Sequence, residues 1–317
     1  MQVLMCGDAW DDSADSRGQV AAICAKAARR AGLRPTDLEW VRLGERAVLR
    51  VDAGRVIARV ERPGVDVADA AAEIGVARWL STAGIPVTHP LPVDQPVVVD
   101  GAVVTFWYGV FGHQGSVEQL ADLLLQVHAL TPPPELARPA RPFLRLRRRI
   151  ARAPGLIEDE RRRLAAVLDA TAGEFRALQP ELTPGYVHGD AACHNVLATP
   201  GGPVLFDFEY AGWGYREWDL AQTAAYHDIG WISEPGYRAF AGAYGRDVRA
   251  VPGYPVLRRA RLLRELTGLA QRPGTAGDPT VRAEIQRRVT DLELGRPPSA
   301  WRRIAPVHPT HPTGGQP

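Results

Sequence analysis

With 317 residues, of which 45% are hydrophobic and 23% charged, the chain carries enough apolar material to bury one large core or two smaller ones. A formal net charge of +2 excludes the broad basic footprint of a protein held to nucleic acid by phosphate charge. There is no apolar run of about 18 residues and no charged-then-apolar secretory opening, so the expectation is a cytoplasmic protein with neither nucleic acid nor membrane among its partners.

Residues Gly18 to Ala31 space Val20, Ile23, Cys24 and Ala27 as a helix would, and Gly32 supplies the stop. Leu38 to Gly44, Ala47 to Asp52 and Arg55 to Val60 read as three short strands of an antiparallel meander, with Asp52-Ala53-Gly54 as the second turn. Val67 to Ala83 sets Ala70, Ile74, Ala77 and Leu80 on one helical face and ends at Gly84. Val97 to Val99 and Val103 to Tyr108, joined through Asp100-Gly101, form a further hairpin. The helix at Val117 to Ala129 repeats Leu120, Leu123, Leu124 and Val127. The proline- and arginine-rich linker from Pro132 to Pro154 reads as a solvated basic face. It precedes a helix opening on Glu158, Asp159 and Glu160, where Glu158 can pair with Arg162 and Asp159 with Arg163.

Two compositional points bear on chemistry. Cys6, Cys24 and Cys193 suit neither a disulfide framework nor a four-cysteine zinc site, and reduced thiols are expected. Lys26 is the only lysine among 38 basic residues. Work usually done by an ammonium group therefore falls to guanidinium, which stays charged and grips oxyanions bidentately.

The most informative stretch is Tyr186-Val187-His188-Gly189-Asp190-Ala191-Ala192-Cys193-His194-Asn195-Val196-Leu197, followed by Val204-Leu205-Phe206-Asp207-Phe208-Glu209. It alternates apolar strands with polar loops, so Asp190, Asn195 and Asp207 can converge at strand ends. Magnesium-dependent phosphoryl transfer needs such a set: one carboxylate for the proton of the attacking hydroxyl, with a carboxylate and an amide oxygen for hard cations.

His188-Gly189-Asp190, Asn195, Asp207-Phe208-Glu209 and Trp218-Asp219-Leu220-Ala221 together resemble the aminoglycoside phosphotransferase family, within the protein-kinase-like folds. The resemblance covers roughly Leu38 to Ala270. It implies an α+β, protein-kinase-like two-lobed fold with a small antiparallel-sheet N-lobe and a larger, mainly helical C-lobe. The segments would be an N-terminal helical segment at 1–37, a nucleotide-binding N-lobe at 38–109, a catalytic and substrate-binding C-lobe at 110–300 and a disordered tail at 301–317. The part of that tail from Pro306 onward is too polar to order itself by apolar burial. By the same resemblance Asp190 is the catalytic base, His188 braces its loop, Asn195 and Asp207 are the metal ligands, and Asp219 fastens the loop backbone from the next helix. ATP or GTP and Mg²⁺ are the implied cofactors.

Such a fold needs a cation on the third strand facing the nucleotide phosphates and a helix acid to orient it, and Arg59 and Glu73 occupy those places. Alternation puts Arg59 on the face shared with Ile57. The family usually has lysine there. A second departure is the nucleotide loop, where Leu43-Gly44-Glu45-Arg46-Ala47 offers a single glycine. Adenine would then be read largely by backbone groups of Phe106-Trp107-Tyr108-Gly109, with Trp107 either a purine contact or plain core packing.

Other arrangements carry less. His188, Asp190, His194, His227 and Asp228 lack metal-cluster spacing, Cys193 beside His194 makes a poor nucleophile pair, and histidines 89, 113, 128, 308 and 311 read as surface or packing residues. On the acceptor side Glu209, Glu217, Asp228 and Glu234 outnumber Arg216 and Arg238, which suits a cationic acceptor such as an amino sugar. The family also phosphorylates macrolides, peptide antibiotics, homoserine and choline-like alcohols. The expectation is an ATP-dependent phosphotransferase, a monomer or homodimer, acting on a hydroxyl of a small molecule such as an aminoglycoside or other antibiotic, with a role in resistance or biosynthesis. The alternative is a catalytically impaired nucleotide- or ligand-binding module, against which the complete Asp190, Asn195 and Asp207 set argues.

Overall fold

Helix α1 (Ala14–Arg30) lays Val20, Ile23, Cys24, Ala27 and Ala28 on one face of a five-stranded antiparallel sheet. The sheet is built from β1 (Leu38–Leu43), β2 (Arg46–Val51), β3 (Val56–Glu61), β4 (Val97–Val99) and β5 (Ala102–Tyr108), in the order β1-β2-β3-β5-β4. This computed structural model describes residues 14–43, 46–62, 64–272, 274–295 and 300–304. Cys6, Gly44 and Glu45 therefore lie outside the described residues, while Cys24 and Cys193 are free thiols.

Strand alternation decides what each face of the sheet carries. Ala47, Leu49, Val51, Val56, Ala58 and Val60 join the core under α1. Arg46, Val48, Arg50, Ile57, Arg59 and Glu61 are left for the opposite face. The turn fixes the register: Asp52, Ala53 and Gly54 all have positive φ, Val51 pairs with Val56, and Arg46 falls opposite Glu61.

Helix α2 (Val67–Thr82) begins where the Asp66 side chain accepts from the Ala68 amide at 2.9 Å. It buries Ala70, Ile74, Ala77 and Leu80 as expected, and with them Glu73, an acid that must find a partner. After β6 (His113–Gln114), helix α3 (Val117–His128) starts with a reciprocal Ser116–Gln119 cap and buries Leu120, Leu123, Leu124 and Val127. Helices α4 (Leu146–Arg152) and α5 (Glu158–Arg176) follow. At the start of α5, Asp159 pairs with Arg162 and Arg163, but Glu158 pairs with Arg161 rather than Arg162.

Strand β7 (Gly185–Val187) leads through a loop and a 3-10 turn (Cys193–Asn195) to the hairpin β8 (Val196–Thr199) and β9 (Gly202–Leu205). Strand β10 (Gly212–Gly214) returns antiparallel to β7, and α6 (Arg216–Asp228), α7 (Glu234–Tyr244), α8 (Tyr254–Ala270) and α9 (Pro279–Glu293) complete the chain.

Described residues within 1–141, 182–220 and 239–246 form one compact unit, and those within 142–181, 221–238 and 247–317 a second. The second unit is a helical cluster around Leu164, Leu168, Leu263, Leu266 and Ile285. Trp301 packs into it, 3% exposed, and donates its indole N–H to Asp291 at 2.9 Å. The expected disordered tail therefore does not begin at 301, because Trp301 and then Ile304 supply apolar area that packs against this cluster; residues 305–317 lie outside the described residues. Among the described residues, no helix is long and apolar enough to cross a membrane.

Candidate active site

The loop after β7 is held from behind by one buried carboxylate. Asp219, at the start of α6, is 0% exposed; its Oδ2 accepts the His188 amide at 2.7 Å and its Oδ1 the Gly189 amide at 2.8 Å. Hydrogen bonds to an ionised acceptor are the strong ones, about 1.5–3 kcal/mol each. The Trp218 indole adds a third tie, donating to the Gly189 carbonyl at 3.1 Å. Gly189 has φ +85°, and a Cβ there would lie 2.2 Å from the Tyr210 carbonyl oxygen, so the position is closed to every other residue.

His128 belongs to this brace. Its Nε2 is 3.1 Å from Asp219 Oδ2 and its Nδ1 2.8 Å from the Tyr244 hydroxyl. The expectation of an ordinary packing residue is corrected: His128 is buried because it supplies Asp219 with a further donor, and no local motif marks that partnership. His188 faces the loop itself. Its Nε2 donates to the Phe206 carbonyl at 2.9 Å, and its Nδ1 accepts the Asp190 amide at 3.2 Å. Since Phe206 can only accept and the amide only donate, the imidazole is fixed as the neutral Nε2–H tautomer.

Asn195 ends the 3-10 turn, buried, and its Nδ2 donates to the Asp190 carbonyl at 2.8 Å. That bond spends the amide nitrogen on the loop and turns Oδ1 into the atom available to a ligand. Asp207 follows β9 with φ +72°, a left-handed conformation that costs a non-glycine residue about 1–2 kcal/mol. Its Oδ1 is buried without a hydrogen bond. Burial pushes the Asp207 carboxyl upward, but the guanidinium groups of Arg46 and Arg59 outweigh this and the repulsion of Asp190, and hold it below the usual carboxylate range. Asp190, Asn195, Asp207 and His188 are thus brought together.

From the sheet, Arg59 reaches Glu73 of α2, with Nη1 2.5 Å from Oε1. Its guanidinium carbon stands 4.5 Å from the centre of the Trp107 ring. Trp107 is 1% exposed and its indole N–H donates to Thr105 Oγ1 at 2.9 Å. Of the two readings of Trp107, the structure supports core packing over a purine contact: the ring is buried, and one face is the platform for Arg59. Three of the amides expected to read adenine have partners within the fold. The Phe106 amide donates to Gln95 Oε1, the Tyr108 amide to the His89 carbonyl and the Gly109 amide to the Arg55 carbonyl, at 2.7, 2.9 and 2.8 Å, so these donors are already used within the fold.

Arg46 is the residue that sequence reasoning missed. Its Nε is 3.4 Å from Glu61, Nη1 3.2 Å from Glu73 Oε2, and Nη2 3.3 Å from Asp207 Oδ1 and 2.7 Å from Glu209 Oε2. Burial alone would lower its pKa, but these four carboxylates raise it well above the ordinary value. The hairpin register signalled the Glu61 pairing; nothing local signalled the other three.

The acidic residues assigned to the acceptor do not present free negative charge. Glu209 is paired with Arg46. Asp228 Oδ2 accepts the Tyr254 hydroxyl at 2.7 Å and lies 3.2 Å from Arg258. Glu234 lies 2.8 Å from Arg238, 3.2 Å from Arg249 and 3.0 Å from His227. The expected acidic excess is reduced, because Arg46, Arg249 and Arg258 neutralise three of its four acids; the fourth, Glu217, is buried and accepts the Leu182 amide at 2.7 Å. Among the described residues no three His, Cys, Asp or Glu side chains form a ready metal cage. The Asp207 carboxylate and the Asn195 amide oxygen fit a hard cation that keeps phosphate and water among its ligands.

Comparison with known proteins gives a family and a fold. Residues 43–298 match the phosphotransferase enzyme family. An uncharacterized protein of Deinococcus radiodurans is 28% identical, over 77% of this chain and 81% of that protein. Among solved structures, an amicoumacin kinase in complex with AMP-PNP, Ca²⁺ and Ami superposes with a TM-score of 0.68 at 14% identity, covering 90% of this chain and 98% of that one. A microcompartment-associated aminopropanol kinase gives 0.60 at 17% identity, covering 81% and 90%. A spectinomycin phosphotransferase in complex with ADP and its antibiotic gives 0.58 at 11%, covering 87% and 97%. The fold is the protein-kinase-like fold of small-molecule kinases.

Proposed function

The chain belongs to the phosphotransferase enzyme family, and we propose that it transfers the γ-phosphate of ATP or GTP to a hydroxyl of a small molecule. The observation that carries this reading is the loop geometry: Asp219 fixes the backbone at His188 and Gly189, Asn195 is tied to the Asp190 carbonyl, and Asp207 stands beside them, its Oδ1 3.3 Å from Arg46 and its carboxyl held below the usual range by Arg46 and Arg59. Kinases named for amicoumacin, aminopropanol and spectinomycin support a small-molecule acceptor, an antibiotic or related metabolite among the candidates.

In this reading residues 38–109 bind the nucleotide and 110–300 supply catalysis and the acceptor site. Asn195 Oδ1 and Asp207 hold Mg²⁺, which when bound neutralises charge on the phosphate oxygens. Arg59, oriented by Glu73 and its Trp107 platform, draws the phosphates to the face of the sheet opposite α1. Asp190 accepts a hydrogen bond from the acceptor hydroxyl and aims it at the γ-phosphorus. As the new oxygen–phosphorus bond forms and the bond to the bridging oxygen breaks, the hydroxyl proton passes to Asp190 and the nucleoside diphosphate leaves. His188, neutral and bonded at both nitrogens, keeps the loop in place. The preference for an amino-sugar acceptor is not carried forward, because Glu209, Asp228 and Glu234 are neutralised by arginines.

The test begins with thermal unfolding in Mg-ATP and Mg-GTP, since a ligand of the folded state raises its apparent stability without a known acceptor. Release of nucleoside diphosphate is then measured against amino sugars, macrolides and small amino alcohols. Stabilisation followed by acceptor-dependent release supports the transferase; stabilisation with no release from any acceptor supports the binding module.

A further inference from the structure

The nucleotide-binding face carries more fixed positive charge than the Arg59–Glu73 pair requires. Arg46, at the first position of β2, places one guanidinium nitrogen between Asp207 Oδ1, at 3.3 Å, and Glu209 Oε2, at 2.7 Å. Its other two nitrogens are engaged by Glu61 and Glu73. Every corner of the group is occupied, and its side chain is 11% exposed.

Phosphotransferases of this architecture can use two divalent cations, gathered by the acid after the hairpin and the amide of the catalytic loop. That scheme asks the acid to serve both cations. In this chain one oxygen of the acid already faces a guanidinium. The guanidinium is costly to displace, because leaving would break its ion pairs with Glu61, Glu73 and Glu209 at once. A hydrated cation arriving from solvent would have to overcome that while also giving up its own water. A resident guanidinium meets Asp207 and Glu209 with no such step, and it carries a charge that solvent conditions do not remove.

We propose that Arg46 stands in for one of the two divalent cations, making this chain a one-metal phosphotransferase. This rests on the transferase reading above. Arg46 is a positioning residue here: it holds Asp207 so that a single oxygen is offered to a single cation, and it joins β2, β3, α2 and the loop after β9 through one group. The single lysine in the sequence agrees with the choice, since a compact ammonium could not reach four carboxylates with three separated nitrogens.

The experiment counts metal ions. The whole chain, in excess over AMP-PNP or GMP-PNP, is titrated with Mn²⁺, and bound ions are read from the loss of the free Mn²⁺ electron paramagnetic resonance signal. Thermal unfolding of the same samples reports whether nucleotide binds. The expected wild-type ratio is one Mn²⁺ per bound nucleotide, rising to two in Arg46→Met, with Arg46→Lys staying at one. A ratio of two in the wild type overturns the proposal whether or not the variants fold. A ratio of one in a folded Arg46→Met also overturns it, because then the arginine displaces nothing. Absence of any nucleotide-dependent stabilisation in the wild type removes the transferase reading itself, an outcome separate from both.

Discussion

Arg59 and Glu73 meet at 2.5 Å between β3 and α2, and the same carboxylate offers its second oxygen to Arg46 at 3.2 Å. Glu73 thus joins two guanidinium groups on the face of the sheet that the proposed reaction uses. The replacement of the family's usual lysine by Arg59 is accommodated by Trp107, whose ring supports the flat guanidinium from below. Lysine would keep the charge but lose that stacking and the broad contact with Glu73. A buried cation–π contact is worth about 1–2 kcal/mol, or about tenfold in affinity. In Arg59→Lys the nucleotide KM is expected to rise by about that factor, with kcat changed less. Steady-state kinetics with varied nucleotide decides it, and an unchanged KM would place Arg59 outside the phosphate site.

Asp219 acts on the reaction only through the loop it holds. In Asp219→Asn one oxygen becomes an NH₂ group facing amides that need an acceptor, so about 3 kcal/mol of charge-assisted bonding is lost. Turnover is expected to fall about 100-fold, with a lower melting temperature and with nucleotide-dependent stabilisation retained. The combination is diagnostic: loss of kcat without loss of nucleotide binding separates a displaced Asp190 from a damaged nucleotide site.

Asp228 and Glu234 give a contrasting expectation. Both are satisfied by tyrosine or arginine partners, so Asp228→Asn and Glu234→Gln should leave acceptor KM within about twofold. The Asp228 change should lower thermal stability more, because it disturbs the buried Tyr254 and the partly buried Arg258. A rise of tenfold or more in KM for a cationic acceptor, with KM for a neutral one unchanged, would restore the acidic acceptor site.

The fold was legible wherever local signals were strong. The turn at Asp52-Ala53-Gly54, the helical spacing of Ala70, Ile74, Ala77 and Leu80, and the stop at Gly84 announced the sheet and its helix to within a residue or two. The candidate site was legible as a motif, since His188, Gly189, Asp190, Asn195 and Asp207 lie close in sequence and each residue type suits one task. What stayed hidden was pairing over long sequence separation. Arg46 reads as one arginine among many until β2 and the loop after β9 are brought together, and Glu209, Asp228 and Glu234 look like free acid until their arginines arrive. The partners of Trp107 and His128 stayed hidden for the same reason: a single sequence names an indole or an imidazole but not what covers it.

The account is tested most directly by transfer of labelled γ-phosphate to an acceptor that the nucleoside diphosphate release assay has identified, comparing wild type with Asp190→Asn. The wild type is expected to label the acceptor. Asp190→Asn should lose about 10²- to 10⁴-fold in rate, as when a positioned base is removed, while its Mg-nucleotide stabilisation matches the wild type. Labelling by Asp190→Asn at a rate close to wild type would contradict the assignment of Asp190 and the mechanism built on it.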